Sequence, residues 1–189
     1  MSLEHAILVS LSERASSGYE LASRFDRSIG HFWSATHQQV YKVLSRMHGA
    51  GWVAATVIAQ DGRPDKKVYD LTSAGRDELS RWIGEPAEPE VTRSELAVKL
   101  RGASHGDTGA VVSEVARHRD MHRLRLDVYL ASEKREFPDP ARLHGVPLHQ
   151  YLVLRGGISY ERGAIDWCEE ILTALRRPAV AAPPMGGAR

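Results

Sequence analysis

Cysteine is nearly absent from this sequence of 189 residues, and so are long apolar runs and net charge. The single cysteine, Cys168, excludes an internal disulfide and a zinc cluster built on cysteines. No apolar run approaches the ~20 residues of a membrane-spanning helix, and the N-terminus shows no secretory signal, so we expect a cytoplasmic protein with no membrane partner. Because 25 Lys and Arg oppose 24 Asp and Glu, any attraction for phosphate must come from where the charges lie rather than from their sum.

Two capping boxes stand in the first forty residues. Residues 17–20 (Ser-Gly-Tyr-Glu) and 36–39 (Thr-His-Gln-Gln) each place a hydroxyl three residues before Glu or Gln, the pattern that begins a helix. Apolar residues also recur at helical spacing over residues 2–13. The sequence therefore predicts three helices, of which the second runs over residues 18–29. We expect the apolar turn at residues 29–33 to be a core or hinge segment.

The third predicted helix is amphipathic. At about 100° per residue its apolar residues fall on one side: these are Val40, Val43, Leu44 and Met47. The opposite side carries amides, hydroxyls and cations, which can contact base edges and phosphates in a DNA major groove. The candidate DNA-contacting residues on this helix are His37, Gln38, Tyr41, Lys42, Ser45 and Arg46. A merely solvated face is the alternative for an isolated helix, and the segment that follows argues against it.

Two strands are predicted next, over residues 52–59 and 66–71, around a turn that contains Gly and Pro. A cationic hairpin of this kind is suited to the DNA backbone or minor groove. Its candidate contacts are Arg63, Lys66 and Lys67. A fourth helix is predicted over residues 73–83. The order helix, helix, hairpin indicates a mainly α fold with a small β-hairpin, a winged helix-turn-helix DNA-binding domain over residues 1–83.

Residues 84–91 are acidic and rich in proline, and we expect them to be a linker. The following domain, residues 92–177, is predicted to be helical, with helices over residues 92–103, 107–136 and 146–177. Two long helices in a hairpin cannot both bury their apolar stripes, so a second copy of the chain is the simplest partner. A monomer with a helical appendage is the alternative. Residues 178–189 are predicted to be a disordered tail.

No set of side chains predicts catalysis, a metal site or a bound cofactor. His118 and His122 are spaced so that two imidazoles could face one metal ion, but no nearby Cys or third His completes a set. A polar face or a dimer-interface pair is the preferred interpretation. Gly156-Gly157 lacks the strand and the Lys-Ser/Thr of a phosphate loop, and Cys168 lies on an apolar stripe as a small hydrophobe. We therefore expect that the protein is not an enzyme.

Short motifs resemble the PadR family of bacterial transcriptional regulators. They lie at residues 18–21 (Gly-Tyr-Glu-Leu), 40–44 (Val-Tyr-Lys-Val-Leu), 51–53 (Gly-Trp-Val), 62–64 (Gly-Arg-Pro) and 68–72 (Val-Tyr-Asp-Leu-Thr), followed by Gly75. The resemblance covers residues 1–83, and the remainder is similar to longer members whose C-terminal region resembles that of the virulence activators. It implies that Tyr41 lies against the DNA backbone and that Gln38 and Lys42 face the groove. The wing contacts would be Arg63, Lys66 and Lys67.

The first hypothesis is a transcriptional regulator, a repressor, whose homodimer holds two reading helices ~34 Å apart on a pseudo-palindromic operator in double-stranded DNA. Related regulators respond to phenolic compounds or drugs, so Tyr151 and Trp167 are candidates for binding a small aromatic effector. A plain dimer interface is the alternative for these two residues. The second hypothesis is a winged-helix protein-interaction module that does not bind DNA, in keeping with the balanced charge. Salt separates the two hypotheses, because DNA binding weakens steeply with salt.

Overall fold

The computed structural model describes residues 3–24, 35–59, 65–87 and 94–176. It divides into two compact units, Met1–Glu90 and Val91–Arg189. The elements of the first unit are α1 (Leu3–Glu13), β1 (Ser16–Ser17), α2 (Gly18–Arg24), α3 (His37–Gly49), β2 (Val53–Ile58), β3 (Lys66–Leu71) and α4 (Ser73–Ile83). Those of the second unit are α5 (Glu95–Arg101), α6 (Thr108–Glu136) and α7 (Gly145–Leu175), with 3-10 turns at Ala103–His105 and Pro140–Arg142. The predicted mainly α fold is confirmed.

Both predicted capping boxes form. The Ser17 N–H and hydroxyl donate to the Glu20 carboxylate, each over 2.9 Å, while the Glu20 N–H donates to Ser17 Oγ over 3.3 Å. In the same way the Thr36 N–H donates to Gln39 Oε1 over 2.8 Å, and the Gln39 N–H donates to Thr36 Oγ1 over 3.2 Å. Each box satisfies backbone donors that a helix start leaves without partners. Helices α2 and α3 therefore begin where the sequence predicts.

The sheet has three strands rather than the two that the sequence predicts. Its order is β1-β3-β2, and both pairings are antiparallel. In β1, Ser16 lies opposite Tyr69, and in β2, Val53 lies opposite Leu71. A strand of two residues is too short to show an alternating pattern, which is why β1 was missed. The strand predicted at residues 52–59 is shorter by one residue at each end.

Several sequence predictions lie outside the described residues. They concern the end of the second helix at Ile29, the turn with Phe32 and Trp33, the wing residue Arg63, the last part of the linker and the tail over residues 178–189.

One core cluster holds the first unit together. The apolar sides of α1 and α3 meet there, with further residues from α2, the sheet and α4. Its fully buried large side chains are Ile7, Leu8, Leu11, Leu21, Val40, Leu44, Met47 and Val53. Burial of each such side chain contributes roughly 1.5–3 kcal/mol, so α3 is held by its apolar side and its polar side is left exposed.

In the second unit α6 and α7 form an antiparallel hairpin. Arg155 of α7 donates a hydrogen bond to Glu133 near the end of α6. Glu161, later in α7, contacts His122, earlier in α6. The helix predicted over residues 92–103 is shorter, because Ser94 caps it through the Ala97 N–H over 3.1 Å and it ends at Arg101. Among the described helices, none is long and apolar enough to cross a membrane.

Two side chains of α7 do not follow the simple rule that apolar residues are buried and charged residues exposed. Leu152 is 56% exposed. Glu161 is only 3% exposed. The carboxylate of Glu161 accepts a hydrogen bond from His122 Nδ1, and this partner makes its burial possible because a buried charge needs one.

Candidate nucleic-acid interface

The polar face predicted on α3 is exposed. Its apolar side, formed by Val40, Val43, Leu44 and Met47, is buried. The six residues predicted to contact DNA are all exposed: His37, Gln38, Tyr41, Lys42, Ser45 and Arg46. The structure therefore brings these candidates together on one helix face, with amide, phenol, hydroxyl and cationic groups side by side.

Two of the predicted cations are paired with acidic side chains. The Arg46 guanidinium forms an ion pair with Glu4 of α1. Lys66 Nζ lies 2.8 Å from Glu20 Oε1, which joins the wing strand β3 to α2. Each pair reduces the net positive potential that its cation presents to a phosphate. Sequence reasoning missed both pairs, because the partners are far apart along the chain.

The other two described cations of the candidate interface carry no such partner. Neither Lys42 nor Lys67 forms an ion pair with another residue that the structure describes. The ammonium of Lys67 lies 5.3 Å from the centroid of the Tyr69 ring, within the range of a cation–π contact. Such a contact does not neutralise the ammonium, because the ring carries no net charge. Lys42 on α3 and Lys67 on β3 are therefore the strongest described candidates for phosphate contact.

The carboxyl group of Glu20 is more acidic than usual in this setting. Its hydrogen bond from Lys66, together with those from the Ser17 N–H and hydroxyl, lowers the pKa of Glu20 from 4.5 to about 2. Lowered pKa values of carboxyl groups follow when donors stabilise the charged form. Glu20 therefore stays ionised at neutral pH and holds α2 and β3 together through charge-assisted hydrogen bonds.

The two residues proposed for an aromatic effector do not meet within one chain. Tyr151 and Trp167 are separated by ~24 Å along α7, at ~1.5 Å per residue. The Tyr151 ring packs on Phe137, with the centroids 5.5 Å apart. Trp167 is 40% exposed. Any effector site would therefore use one of these residues per chain, or be completed by a second chain.

The histidine pair on α6 is engaged by carboxylates. His118 Nε2 lies 3.3 Å from Glu114 Oε1, and His122 Nδ1 donates to Glu161. Within the described ranges no group of three or more His, Cys, Asp or Glu is arranged to hold a metal ion. Burial raises the pKa of the Cys168 thiol, which keeps it protonated as a small apolar group.

A helix that exposes a polar face, docked by its apolar side beside a cationic two-stranded hairpin, defines the winged helix-turn-helix class of DNA-binding domains. Residues 7–81 match the Transcriptional regulator PadR-like family, and residues 92–176 match Virulence activator alpha C-term. The chain is 54% identical over 186 residues to the "Probable transcriptional regulator Rv1176c" of Mycobacterium tuberculosis, covering 93% of this chain and 98% of that protein. The chain therefore belongs to the PadR-like family of transcriptional regulators, as its motifs predict.

Solved structures of two regulators are similar over nearly the whole chain. The Vibrio cholerae virulence activator AphA is 32% identical, with a TM-score of 0.76 and coverage of 92% of this chain and 98% of that one. Bacillus subtilis PadR in complex with operator DNA is 26% identical, with a TM-score of 0.81 and the same coverage. That regulator, described as the negative transcriptional regulator PadR, has also been solved with p-coumaric acid, at 26% identity, a TM-score of 0.75 and coverage of 93% and 99%.

Proposed function

We propose that this chain is a cytoplasmic transcriptional repressor that binds a pseudo-palindromic operator as a homodimer. The observation that carries the proposal is the exposed polar face of α3 beside Lys67 of the wing. The similarity to PadR, which was solved with operator DNA and is described as a negative regulator, supports both the DNA partner and the direction of regulation.

The side chains divide into two roles. Tyr41 and the cations Lys42 and Lys67 contact phosphates, which supply most of the affinity and all of its salt dependence. Gln38 reads base edges, because an amide offers a donor and an acceptor to the major groove. Arg63 is a further wing contact. Arg46 and Lys66 contribute less, since each already binds a carboxylate.

Lys67→Ala and Gln38→Ala should separate affinity from specificity. Lys67→Ala should weaken binding to every sequence by a similar factor and lower the slope of log K against log salt by about 1. Gln38→Ala should reduce the preference for the operator over unrelated DNA by about 1–3 kcal/mol. Both effects are measured by fluorescence anisotropy on the DNA upstream of the chain's own gene, at ~50 and ~200 mM salt, with unrelated DNA as competitor.

Lys134→Ala is the matched control, because Lys134 is an exposed cation on α6, outside the winged-helix unit. It should leave both the affinity and the salt slope unchanged. Binding that is insensitive to salt, to Lys67→Ala and to Gln38→Ala would contradict the proposal. It would favour the protein-interaction module instead.

The dimer is supported by a stripe on the exposed side of α7. Val153, Gly156, Tyr160, Gly163 and Trp167 follow one another at alternating intervals of three and four residues, the spacing of a helix–helix seam. Tyr160 is 67% exposed, and an added Cβ at either glycine meets no atom within 4 Å. Glycine inside a helix costs about 0.5–1 kcal/mol relative to alanine. Close approach of a helix from a second copy supplies the reason for two glycines in this stripe.

Tyr160→Glu should convert the dimer to a monomer, because a charge in the centre of an apolar seam loses its hydration on association. Sedimentation velocity measures the change in mass. Arg162→Glu is the control, since Arg162 is exposed on another side of the same turn of α7. Dimers of unchanged stability in Tyr160→Glu would show that the seam is elsewhere.

A small aromatic acid is proposed as the effector, because PadR has been solved with p-coumaric acid. We expect p-coumaric acid to raise the melting temperature of this chain and to weaken its binding to upstream DNA, and Trp167→Ala to reduce both responses. Differential scanning fluorimetry and competition anisotropy measure them. If neither quantity responds across a panel of phenolic acids, the effector hypothesis is wrong while the DNA-binding proposal stands.

A further inference from the structure

Three consecutive residues at the start of α2 each contact a residue that is proposed to contact DNA. Gly18 lies against the ring of Tyr41. Tyr19 meets His37 edge-on, with 6.0 Å between the ring centroids. Glu20 binds Lys66 of the wing over 2.8 Å. We propose that this turn, residues 18–20, is a positioning platform for the DNA-contacting side chains, and that Gly18 is the positioning residue that orients Tyr41. The inference rests on the proposed DNA-binding function.

The contact between Gly18 and Tyr41 leaves no room for a side chain. A Cβ added at Gly18 would lie 2.9 Å from Cδ1 and 3.0 Å from Cζ of Tyr41, and closer still to Cε1. Gly18 itself is buried, whereas Tyr41 remains 47% exposed. One edge of the ring therefore rests on the backbone of α2, while about half of the Tyr41 surface stays open to solvent. Only glycine permits this approach, and the approach sets the direction of the phenol.

Alanine at position 18 is expected to displace the ring rather than the fold. Among the described glycines only Gly51 and Gly145 have positive φ, so the Gly18 backbone is compatible with alanine. The atoms in the way belong to an exposed side chain that can rotate to another rotamer. The substitution therefore acts on the orientation of Tyr41, which makes Gly18 a sensitive position for DNA affinity without a large stability cost.

The other two residues of the platform relate the reading helix to the wing. Glu20 binds Lys66 through Oε1 and Ser17 through Oε2, so one carboxylate links the start of α2 to β3. The Tyr19 ring supports His37 at the first position of α3. His37 of α3 and Lys66 of β3 are thus both held by the first turn of α2. Preorganisation of this kind reduces the ordering cost on binding.

A double-mutant cycle tests the inference. The probe is a fluorescein-labelled duplex of mixed sequence, ~30 base pairs, at ~50 mM salt, where phosphate contacts dominate. Gly18→Ala and Tyr41→Ala should each weaken binding about 10-fold, the loss expected for one hydrogen bond to a charged group. In the Tyr41→Ala background, Gly18→Ala should add less than ~2-fold, because the ring that it displaces is gone. Gly49→Ala is the control, since no atom lies within 4 Å of its added Cβ.

Each outcome decides the inference. Equal losses from Gly18→Ala in both backgrounds would overturn it, because Gly18 would then act by a route other than Tyr41. Unchanged affinity in Gly18→Ala would overturn it while the DNA-binding proposal stands. An unfolded Gly18→Ala beside a folded double variant, checked by thermal melting, would make the contact structural and reject the positioning role. Failure of the wild-type chain to bind both this duplex and upstream DNA would reject the proposed function and this inference together.

Discussion

Replacing Gly75 by alanine should lower the free energy of unfolding of the first unit by about 3 kcal/mol, the upper range for overpacking a well-packed site. A Cβ at Gly75 would lie 3.0 Å from the carbonyl carbon of Trp52 and closer still to its oxygen. That oxygen accepts hydrogen bonds from the Thr72 N–H over 3.1 Å and from the Thr72 hydroxyl over 3.0 Å. The obstacle is backbone, and moving it would break the bonds that join the start of α4 to the segment before β2.

Thermal melting followed by circular dichroism measures the effect. A loss of about 3 kcal/mol corresponds to a shift of roughly 12–24 °C for a unit of this size. Gly49→Ala is the matched control, because its added Cβ meets no atom within 4 Å. It should leave the unit as stable as before or raise its stability by up to about 1 kcal/mol. Equal melting temperatures for the two variants would show that Trp52 and α4 can move apart without cost.

Replacing His122 by leucine should destabilise the second unit by about 3–5 kcal/mol, because removing one partner of a buried pair leaves the other charge uncompensated. Glu161 is 3% exposed, and the hydrogen bond from His122 Nδ1 joins α6 to α7. The nearby Tyr129 is also sensitive to this charge, since burial and the Glu161 carboxylate raise the pKa of its phenol. The variant would keep the carboxylate buried but remove its imidazole partner.

Urea unfolding of the full chain, followed by far-ultraviolet circular dichroism, compares three variants. The double variant His122→Leu/Glu161→Leu should recover most of the lost stability, because it removes the buried charge together with its partner. His118→Leu, one turn earlier on α6, should cost much less than His122→Leu, since the side chains of His118 and Glu114 are both partly exposed to solvent. Similar losses for His118→Leu and His122→Leu would contradict the structural role of the buried pair.

The sequence predicted correctly the features that depend on neighbouring residues and missed those that depend on residues far apart along the chain. The starts of α2 and α3 were predicted correctly because their capping boxes are complete within four residues. The exposed face of α3 was also predictable, since a helix of known period with four apolar residues on one side must turn the other side to solvent. Strand β1 was not predictable, because its existence depends on pairing with β3 about fifty residues later.

The candidate interface shows the same division. Its residue types and their common face could be read from the sequence, and so could the family. The sequence did not show which of the cations are paired with carboxylates. Arg46 is paired with Glu4, 42 positions away, and Lys66 with Glu20, 46 positions away. No local pattern links residues at such separations.

By itself, then, the sequence determined the order of the helices and of the two hairpin strands, the starts of α2 and α3, and the side of α3 that faces solvent, because these depend on local hydrogen bonds and on helical period. The tertiary structure alone decided that Glu161 is buried on His122, that Arg46 and Lys66 are the candidate cations paired with carboxylates among the described residues, and that Tyr41 rests on Gly18. Each of these depends on groups that come together only when separate elements pack, and the packing is set by the whole core rather than by any one segment.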